Sequence, residues 1–184
     1  GWMRWVWCCC IAVFAASLLN AQSGSLDARL SAARKARDQK NYAEAEREGS
    51  VAVQEAEKLG PLNPRLNAAL VELGNTYFIQ RKYAQAEPLY FRATELAEAA
   101  GVDRRTLSTQ LSYLGMCRFY RGKGDAALPV IERAVQMREQ VLGADHLDVA
   151  YVLMDLAVVQ GGLRKREQAE ASLRRALQIR QGLI

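Results

Sequence analysis

Histidine is nearly missing from this 184-residue chain, which contains one such residue. A histidine-based metal cluster or a Ser–His–Asp triad therefore lacks the side chains it needs within the chain. Proline occurs four times, and aromatic residues make up only 8% of the sequence. Alanine, by contrast, occurs 29 times. Because alanine favours helix whereas β-branched and aromatic residues favour strands, this composition predicts an all-α fold.

Cysteine is scarce outside the N-terminal segment. Three of the four cysteines are Cys8, Cys9 and Cys10. The fourth, Cys117, is the only one in the rest of the chain. A lone cysteine cannot form an internal disulfide, and a free cysteine is usually a small buried hydrophobe. We therefore expect Cys117 to be part of the core, with a redox or intermolecular role as the alternative.

Charge gives little sign of a nucleic-acid partner. The formal net charge is +5, and the basic and acidic residues are interspersed. The most basic stretch, Arg164 to Arg180, also contains Glu167 and Glu170. Such a stretch is typical of a solvated helix face, so we expect no nucleic-acid partner.

The N-terminal 23 residues have the pattern of a targeting segment. Arg4 is followed by a run of about 15 uncharged residues, Trp5 to Leu19, which is short for a membrane span of about 20 residues. The small residues Ala21 and Ser23 then fit a signal-peptide cleavage site before Gly24, with cleavage after Ala21 as a second choice. We expect export, to a periplasmic or secreted location. In the alternative, residues 1–23 stay as a short N-terminal anchor, and only then would the protein contact a membrane.

The remainder of the chain repeats with a period of about 42 residues. Units beginning at Leu26, Asn67, Ser108 and Ala150 share the same pattern of small residues. Counting each unit's first residue as position 1, position 8 is always Gly or Ala, and positions 20 and 27 are always Ala. Small residues at facing positions allow two helices to approach closely.

Each unit reads as two amphipathic helices joined by a short polar turn. Apolar residues at positions 4, 7, 8 and 11 form one stripe, and those at positions 20, 24 and 27 form another. Asn63, Asp103 and Asp145 stand where helix N-caps are expected, and Gly60, Gly101 and Gly143 stand near helix ends. The single histidine, His146, is also expected to cap or pack at a helix start. The pattern predicts an α-solenoid of four antiparallel helix pairs.

At these positions the chain resembles the tetratricopeptide repeat (TPR) family. The second unit resembles it best, through Leu73, Gly74, Tyr77, Ala86, Tyr90 and Ala93. The long period resembles the repeats of kinesin light chains and their bacterial relatives. The resemblance implies a TPR superhelix over residues 25–181, with units at about 26–66, 67–107, 108–149 and 150–181.

The resemblance also implies a concave groove lined by positions 2, 5, 9 and 12 of each unit. The groove residues expected to bind a partner are Val71, Asn75, Phe78, Met116, Phe119, Tyr151 and Met154. Aromatic and methionine side chains in a groove suit an extended or helical peptide segment. The Lys, Asn and Arg clamp with which some family members hold a C-terminal carboxylate is missing here, apart from Asn75. We expect a non-enzymatic scaffold that binds a protein or peptide.

No pattern in the sequence indicates catalysis. It has no glycine-rich phosphate loop and no metal-spaced cluster, so we expect no catalytic residue, no cofactor, no metal and no small-molecule substrate. Two alternatives stay open. The repeats could be the TPR portion of a longer protein with an enzymatic domain. They could also form a self-associating module, a homo-oligomer built through an apolar C-terminal edge that contains Leu153, Leu156, Leu173 and Leu177.

Overall fold

The structure is a computed structural model that describes residues 24–61 and 63–182. These residues form eight helices and no strand. The first helix, α1, covers residues 24–38 of the described part. The others are α2 (Tyr42–Lys58), α3 (Pro64–Ile79), α4 (Tyr83–Ala99), α5 (Arg104–Tyr120), α6 (Gly124–Leu142), α7 (Leu147–Gly162) and α8 (Arg166–Gln181). The predicted targeting segment, residues 1–23, lies outside the described residues.

From α2 onward, each helix packs against the next along the chain, and α5 also contacts α7. Short turns between packed neighbours make successive helices antiparallel. The odd-numbered helices therefore line one side of the stack, and the even-numbered helices line the other. This is the predicted all-α solenoid of helix pairs. Within the part of the chain that the structure describes, none of the helices has both the length and the apolar character needed to span a membrane.

The small residues of the repeat pattern lie where the helices meet. All the alanines at positions 20 and 27 are buried, and so are the residues at position 8. A Cβ added to Gly74 would lie about 3.1 Å from the Tyr90 ring, and one added to Gly115 would overlap Ile131. The prediction that small residues mark close helix contacts is therefore confirmed, because the large side chains of facing helices fill the space above them.

Helix N-caps agree with the sequence prediction in two of three places. The Asn63 side chain accepts a hydrogen bond from the Arg65 amide, and the Asp103 side chain accepts one from the Thr106 amide. The prediction for Asp145 is wrong, because α7 begins one residue later. There Nδ1 of His146 accepts a hydrogen bond from the Asp148 amide at 3.0 Å. The capping role expected for His146 is thus confirmed.

The turn within each helix pair has a left-handed residue at position 15. These residues are Lys40, Arg81, Gly122 and Arg164, with φ between 59° and 77°. Only one is glycine, although glycine adopts this conformation without steric cost. The recurrence at one position shows that the four turns share a single geometry.

The apolar core is divided into three adjoining clusters. One runs from α1 to α4 and includes Leu26 and Leu70, whereas another runs from α4 to α8 and includes Ile131 and Leu153. The third lies between them, around Tyr90 and Cys117. Cys117 is free and buried, as expected, and burial raises the pKa of its thiol to about 12. That pKa keeps the thiol protonated and unreactive at neutral pH.

The proposed apolar C-terminal edge needs correction. Leu153 and Leu156 are buried in the core, because α7 is covered by α6 and α8. Leu173 and Leu177 are about half exposed on α8. Of these four leucines, therefore, the two on α8 are the exposed ones.

Overpacking the contact between α5 and α6 should destabilise the protein. Ala127 has no exposed surface and lies beside Gly115, whereas its neighbour Ala126 is exposed. Ala127→Leu should lower the free energy of unfolding by roughly 1–3 kcal/mol, because the added methyl groups have no space. Ala126→Leu, the matched control, should change it by about 0.5 kcal/mol or less. Urea denaturation of both variants measures the difference. A larger loss of stability for Ala126→Leu than for Ala127→Leu would show that the repeat positions are assigned wrongly in the third unit.

Candidate binding groove

A cavity of about 400 Å³ opens on the side of the stack formed by α3, α5 and α7. It crosses three successive units of the repeat. Its lining combines aromatic, apolar and charged side chains: Phe78, Thr109, Ser112, Tyr113, Met116, Tyr120, Arg138, Asp148, Tyr151, Val152 and Asp155. We call this cavity the groove cavity. Its position on the first helices of the pairs is where the sequence predicted a binding groove.

Aromatic rings form one wall of the groove cavity. Phe78 lies at the centre of this wall, with its ring centroid 5.1 Å from that of Tyr113 and 6.5 Å from that of Tyr120, both in edge-to-face geometry. Behind the wall, Tyr83 stacks on Tyr120 at 4.6 Å and Tyr90 stacks on Tyr113 at 5.3 Å. Such ring contacts hold the wall in a fixed arrangement, which would lower the entropic cost of binding a ligand there.

A buried arginine anchors the opposite side. Arg138 reaches from α6 between the first helices, and its guanidinium donates to Ser108 Oγ at 2.8 Å and to Thr109 Oγ1 at 2.6 Å. It also pairs with Asp148 at 3.3 Å, and Asp148 pairs with Arg105 at 2.7 Å. Burial lowers the pKa of Arg138, while the Asp148 carboxylate opposes that shift. The charges of Arg138 and Asp148 thus offset each other within the cavity.

Asp155 is the remaining charged residue of the lining. Its Oδ2 accepts a hydrogen bond from the Ser112 hydroxyl at 2.5 Å. Within the described residues, it forms no ion pair with a Lys or Arg side chain. Burial raises the pKa of this carboxyl, and the Ser112 hydrogen bond only partly counters that effect. The cavity therefore contains a carboxylate that a positive charge would stabilise.

The structure brings three of the seven predicted groove residues into this cavity, namely Phe78, Met116 and Tyr151. They differ in exposure: Tyr151 is 61% exposed, Phe78 is half-buried, and Met116 is 6% exposed and belongs to the core cluster of α4 to α8. Tyr151 is thus the most accessible of the three. Met116 contributes the floor of the cavity.

The other four predicted residues lie elsewhere. Val71 packs against two core clusters, and the Asn75 side chain accepts a hydrogen bond from the Tyr90 hydroxyl at 2.6 Å. Phe119 lies against Gly162, where the absence of a Cβ leaves room for its ring. Met154 is 37% exposed on α7. Sequence offsets identify a helix face, but they do not distinguish a side chain that lines a cavity from one that packs between units.

Several lining residues were not predicted from the sequence. They are Tyr113, Tyr120, Arg138, Asp148, Val152 and Asp155. Arg138 lies on a second helix of a pair, so the offsets of the first helices could not identify it. The sequence signal for Asp155 was a carboxylate in the middle of the apolar helix α7. Within the described residues, no group of side chains could hold a metal ion.

Comparison with known families supports the repeat pattern. Residues 105–182 match the tetratricopeptide repeat family. The chain has the tetratricopeptide repeat fold. The match falls on α5 to α8, and the same helix-pair geometry extends through the preceding units. A comparison with curated protein sequences finds no significant match.

Solved structures of TPR solenoids resemble the chain in three dimensions. BtubC (BKLC) from P. vanneervenii superposes with a TM-score of 0.74 at 19% identity, over 82% of this chain and 61% of BtubC. The nearly identical TPR-like repeats of a kinesin light chain homologue from Podosopora anserina superpose with a TM-score of 0.72 at 18% identity. The superposition covers 84% of this chain and 74% of that chain. The apo form of RapI superposes with a TM-score of 0.75 at 11% identity, over 84% of this chain and 55% of RapI. The chain thus spans about three fifths of BtubC. At these identities the likeness establishes the fold.

Proposed function

We propose that this protein is a non-enzymatic scaffold that binds a peptide or helical segment of a protein partner in the groove cavity. The observation that supports the proposal is the cavity itself. It has a pre-formed aromatic wall and crosses three units on the side of the stack formed by α3, α5 and α7. Stacked helix pairs create extended concave surfaces that suit a chain segment.

Its lining favours a peptide over other classes of ligand. Four aromatic rings and Met116 provide apolar contact area, while the polar groups on Ser112, Thr109 and Asp155 can hydrogen-bond to a backbone or side chain. Aromatic anchors of this kind supply most of the energy in many protein interfaces. The accessible ring of Tyr151 is placed to act as such an anchor.

The proposal predicts that Tyr151→Ala weakens peptide binding without destabilising the fold. The full chain is immobilised and used to select from a display library of random 12-residue peptides. Peptides enriched by the wild type should bind the variant about 30-fold more weakly, the effect of losing one aromatic anchor of about 2 kcal/mol. Fluorescence anisotropy with the enriched peptides gives the two dissociation constants. Thermal melting should be nearly unchanged, since Tyr151 is mostly exposed.

Leu177→Ala is the matched control. Leu177 has a similar exposure, 54%, but lies on α8 away from the groove cavity. Its peptide affinities should equal those of the wild type. If the wild type enriches no peptide, or if Tyr151→Ala binds the enriched peptides as well as the wild type does, binding in the groove cavity is wrong.

Export from the cytoplasm is a further part of the proposal. It rests on the uncharged run from Trp5 to Leu19 and the small residues that follow it. A scaffold of this kind would then meet its partner in the periplasm or outside the cell. Cleavage of the segment would release the protein, whereas retention would anchor it at the membrane surface.

A further inference from the structure

The repeat provides an internal comparison for the carboxylate in the groove cavity. Position 6 is Asp155 in the fourth unit and Glu72 in the second. Both are acidic residues on a first helix, and both face the preceding unit. Glu72 is buried, and it pairs with Arg34 at 3.0 Å and with Arg37. Two guanidinium groups of the preceding unit therefore neutralise the carboxylate of the second unit.

Among the described residues, no pair of guanidinium groups neutralises the carboxylate of the fourth unit in this way. Arg34 and Arg37 occupy positions 9 and 12 of the first unit, and the residues at those positions in the third unit are Met116 and Phe119. Neither carries a charge. Asp155 instead receives one hydrogen bond from Ser112, and the nearby Arg138 is already bound to Ser108, Thr109 and Asp148. Within the part of the chain that the structure describes, the same repeat position thus has its cations in the second unit and lacks them in the fourth, where the groove cavity lies.

We propose that the partner segment supplies the missing cation by placing a basic side chain, arginine in preference to lysine, against Asp155 in the groove cavity. This inference rests on the function proposed above and names the chemistry of the partner. A guanidinium can form two parallel hydrogen bonds with a carboxylate, as an ammonium cannot. It would take the place that the guanidinium groups of Arg34 and Arg37 take beside Glu72.

The aromatic wall favours the same side chain. Tyr151 lies one helical turn before Asp155, so the two side chains share a face of α7. Tyr113 and Phe78 line the cavity from the neighbouring helices. A planar guanidinium stacks on such rings while it hydrogen-bonds to a carboxylate. The partner motif that fits is a basic residue flanked by apolar residues, which occupy the rest of the aromatic wall.

The peptide library described above tests this chemistry. Peptides enriched by the full-length wild type should share an arginine, or less often a lysine, at a fixed spacing from apolar residues. Asp155→Asn keeps the size of the side chain and its hydrogen bond with Ser112 but removes the charge. The enriched peptides should bind this variant about 10-fold or more weakly, as expected for the loss of a charge-assisted hydrogen bond. A new selection with Asp155→Asn should no longer favour basic residues.

Asp145→Asn is the matched control, because Asp145 is exposed in the turn before α7 and lies outside the groove cavity. It should select the same basic peptides as the wild type. Apolar peptides without a basic residue, enriched by the wild type and lost with Tyr151→Ala, would overturn the arginine inference and leave the groove function intact. An absence of any enriched peptide would overturn both.

A second variant keeps the inference testable if Asp155→Asn disturbs the fold. Tyr151→Arg is this variant, because Tyr151 is 61% exposed and lies one helical turn from Asp155. Its guanidinium should pair with Asp155 and reduce the affinity for the basic peptides about 10-fold more than Tyr151→Ala does. Equal affinities of the Tyr151→Arg and Tyr151→Ala variants would overturn the assignment of Asp155 as the peptide's partner.

Discussion

Replacing Arg138 with leucine should lower the free energy of unfolding by about 3 kcal/mol or more. Removal of one member of a fully buried ion pair typically costs about 3–5 kcal/mol, and here Arg138 is buried while Asp148 is partly exposed. Here the lost guanidinium would leave Ser108 and Thr109 without their donor. Asp148 would still have Arg105, so we expect a value near the lower end of that range. Denaturant unfolding followed by circular dichroism measures the change.

Arg133→Leu is a suitable control on the same helix. Arg133 is half exposed and pairs with Glu98 at 2.7 Å. Ion pairs at the surface contribute about 0–1 kcal/mol, so its loss should change stability by about that amount. Both variants lose one positive charge, and therefore a general effect of net charge would appear in both. Equal destabilisation by the two substitutions would contradict the role assigned to Arg138.

Phe78→Ala should also lower the free energy of unfolding by about 3 kcal/mol. Truncation of a buried phenylalanine typically costs 3–5 kcal/mol, and Phe78 is half-buried. Its ring contacts four tyrosines, Tyr83, Tyr90, Tyr113 and Tyr120. All four would lose an edge-to-face neighbour, and the wall of the groove cavity would lose its support. Thermal and urea unfolding measure the loss.

Phe91→Ala, on α4, provides the comparison. Phe91 is 43% exposed, and its truncation should cost about 1 kcal/mol. If Phe78 only lined the groove, as its position 12 in the second unit predicts, removal of its ring would have little effect on the fold. A stable Phe78→Ala variant that fails to bind peptides would restore that interpretation, and a destabilised one would show that the ring supports the wall.

Helices and their contacts could be predicted because they depend on local, repeated signals. Alanine at positions 20 and 27 is buried in every unit, and the side chains of Asn63 and Asp103 cap their helices as expected. The error at Asp145 has a local cause. Asp145 and His146 are both able to cap a helix. In the structure α7 begins at Leu147, so His146 is the N-cap.

The site was harder to predict because its parts come from different units. Arg138 is long enough to reach the first helices from α6, and a pattern based on helix faces cannot show where such a side chain ends. The placement of Phe119 depends on Gly162, a residue of the next unit with no side chain. The role of Asp155 can be inferred only by comparison with Glu72, once the structure shows that both side chains face the preceding unit.

The division of the core into clusters has a consequence for how the chain unfolds. A solenoid behaves nearly as a one-dimensional array, in which each unit is held by its own stability and by the interfaces with its neighbours. Between the α1–α4 and α4–α8 clusters, the connection runs through the tyrosine rings around Phe78. We therefore expect these rings to contribute, together with the α4–α5 interface, to the coupling between the two halves during unfolding. Residues that shape the groove cavity would then also help to keep the two halves from unfolding separately.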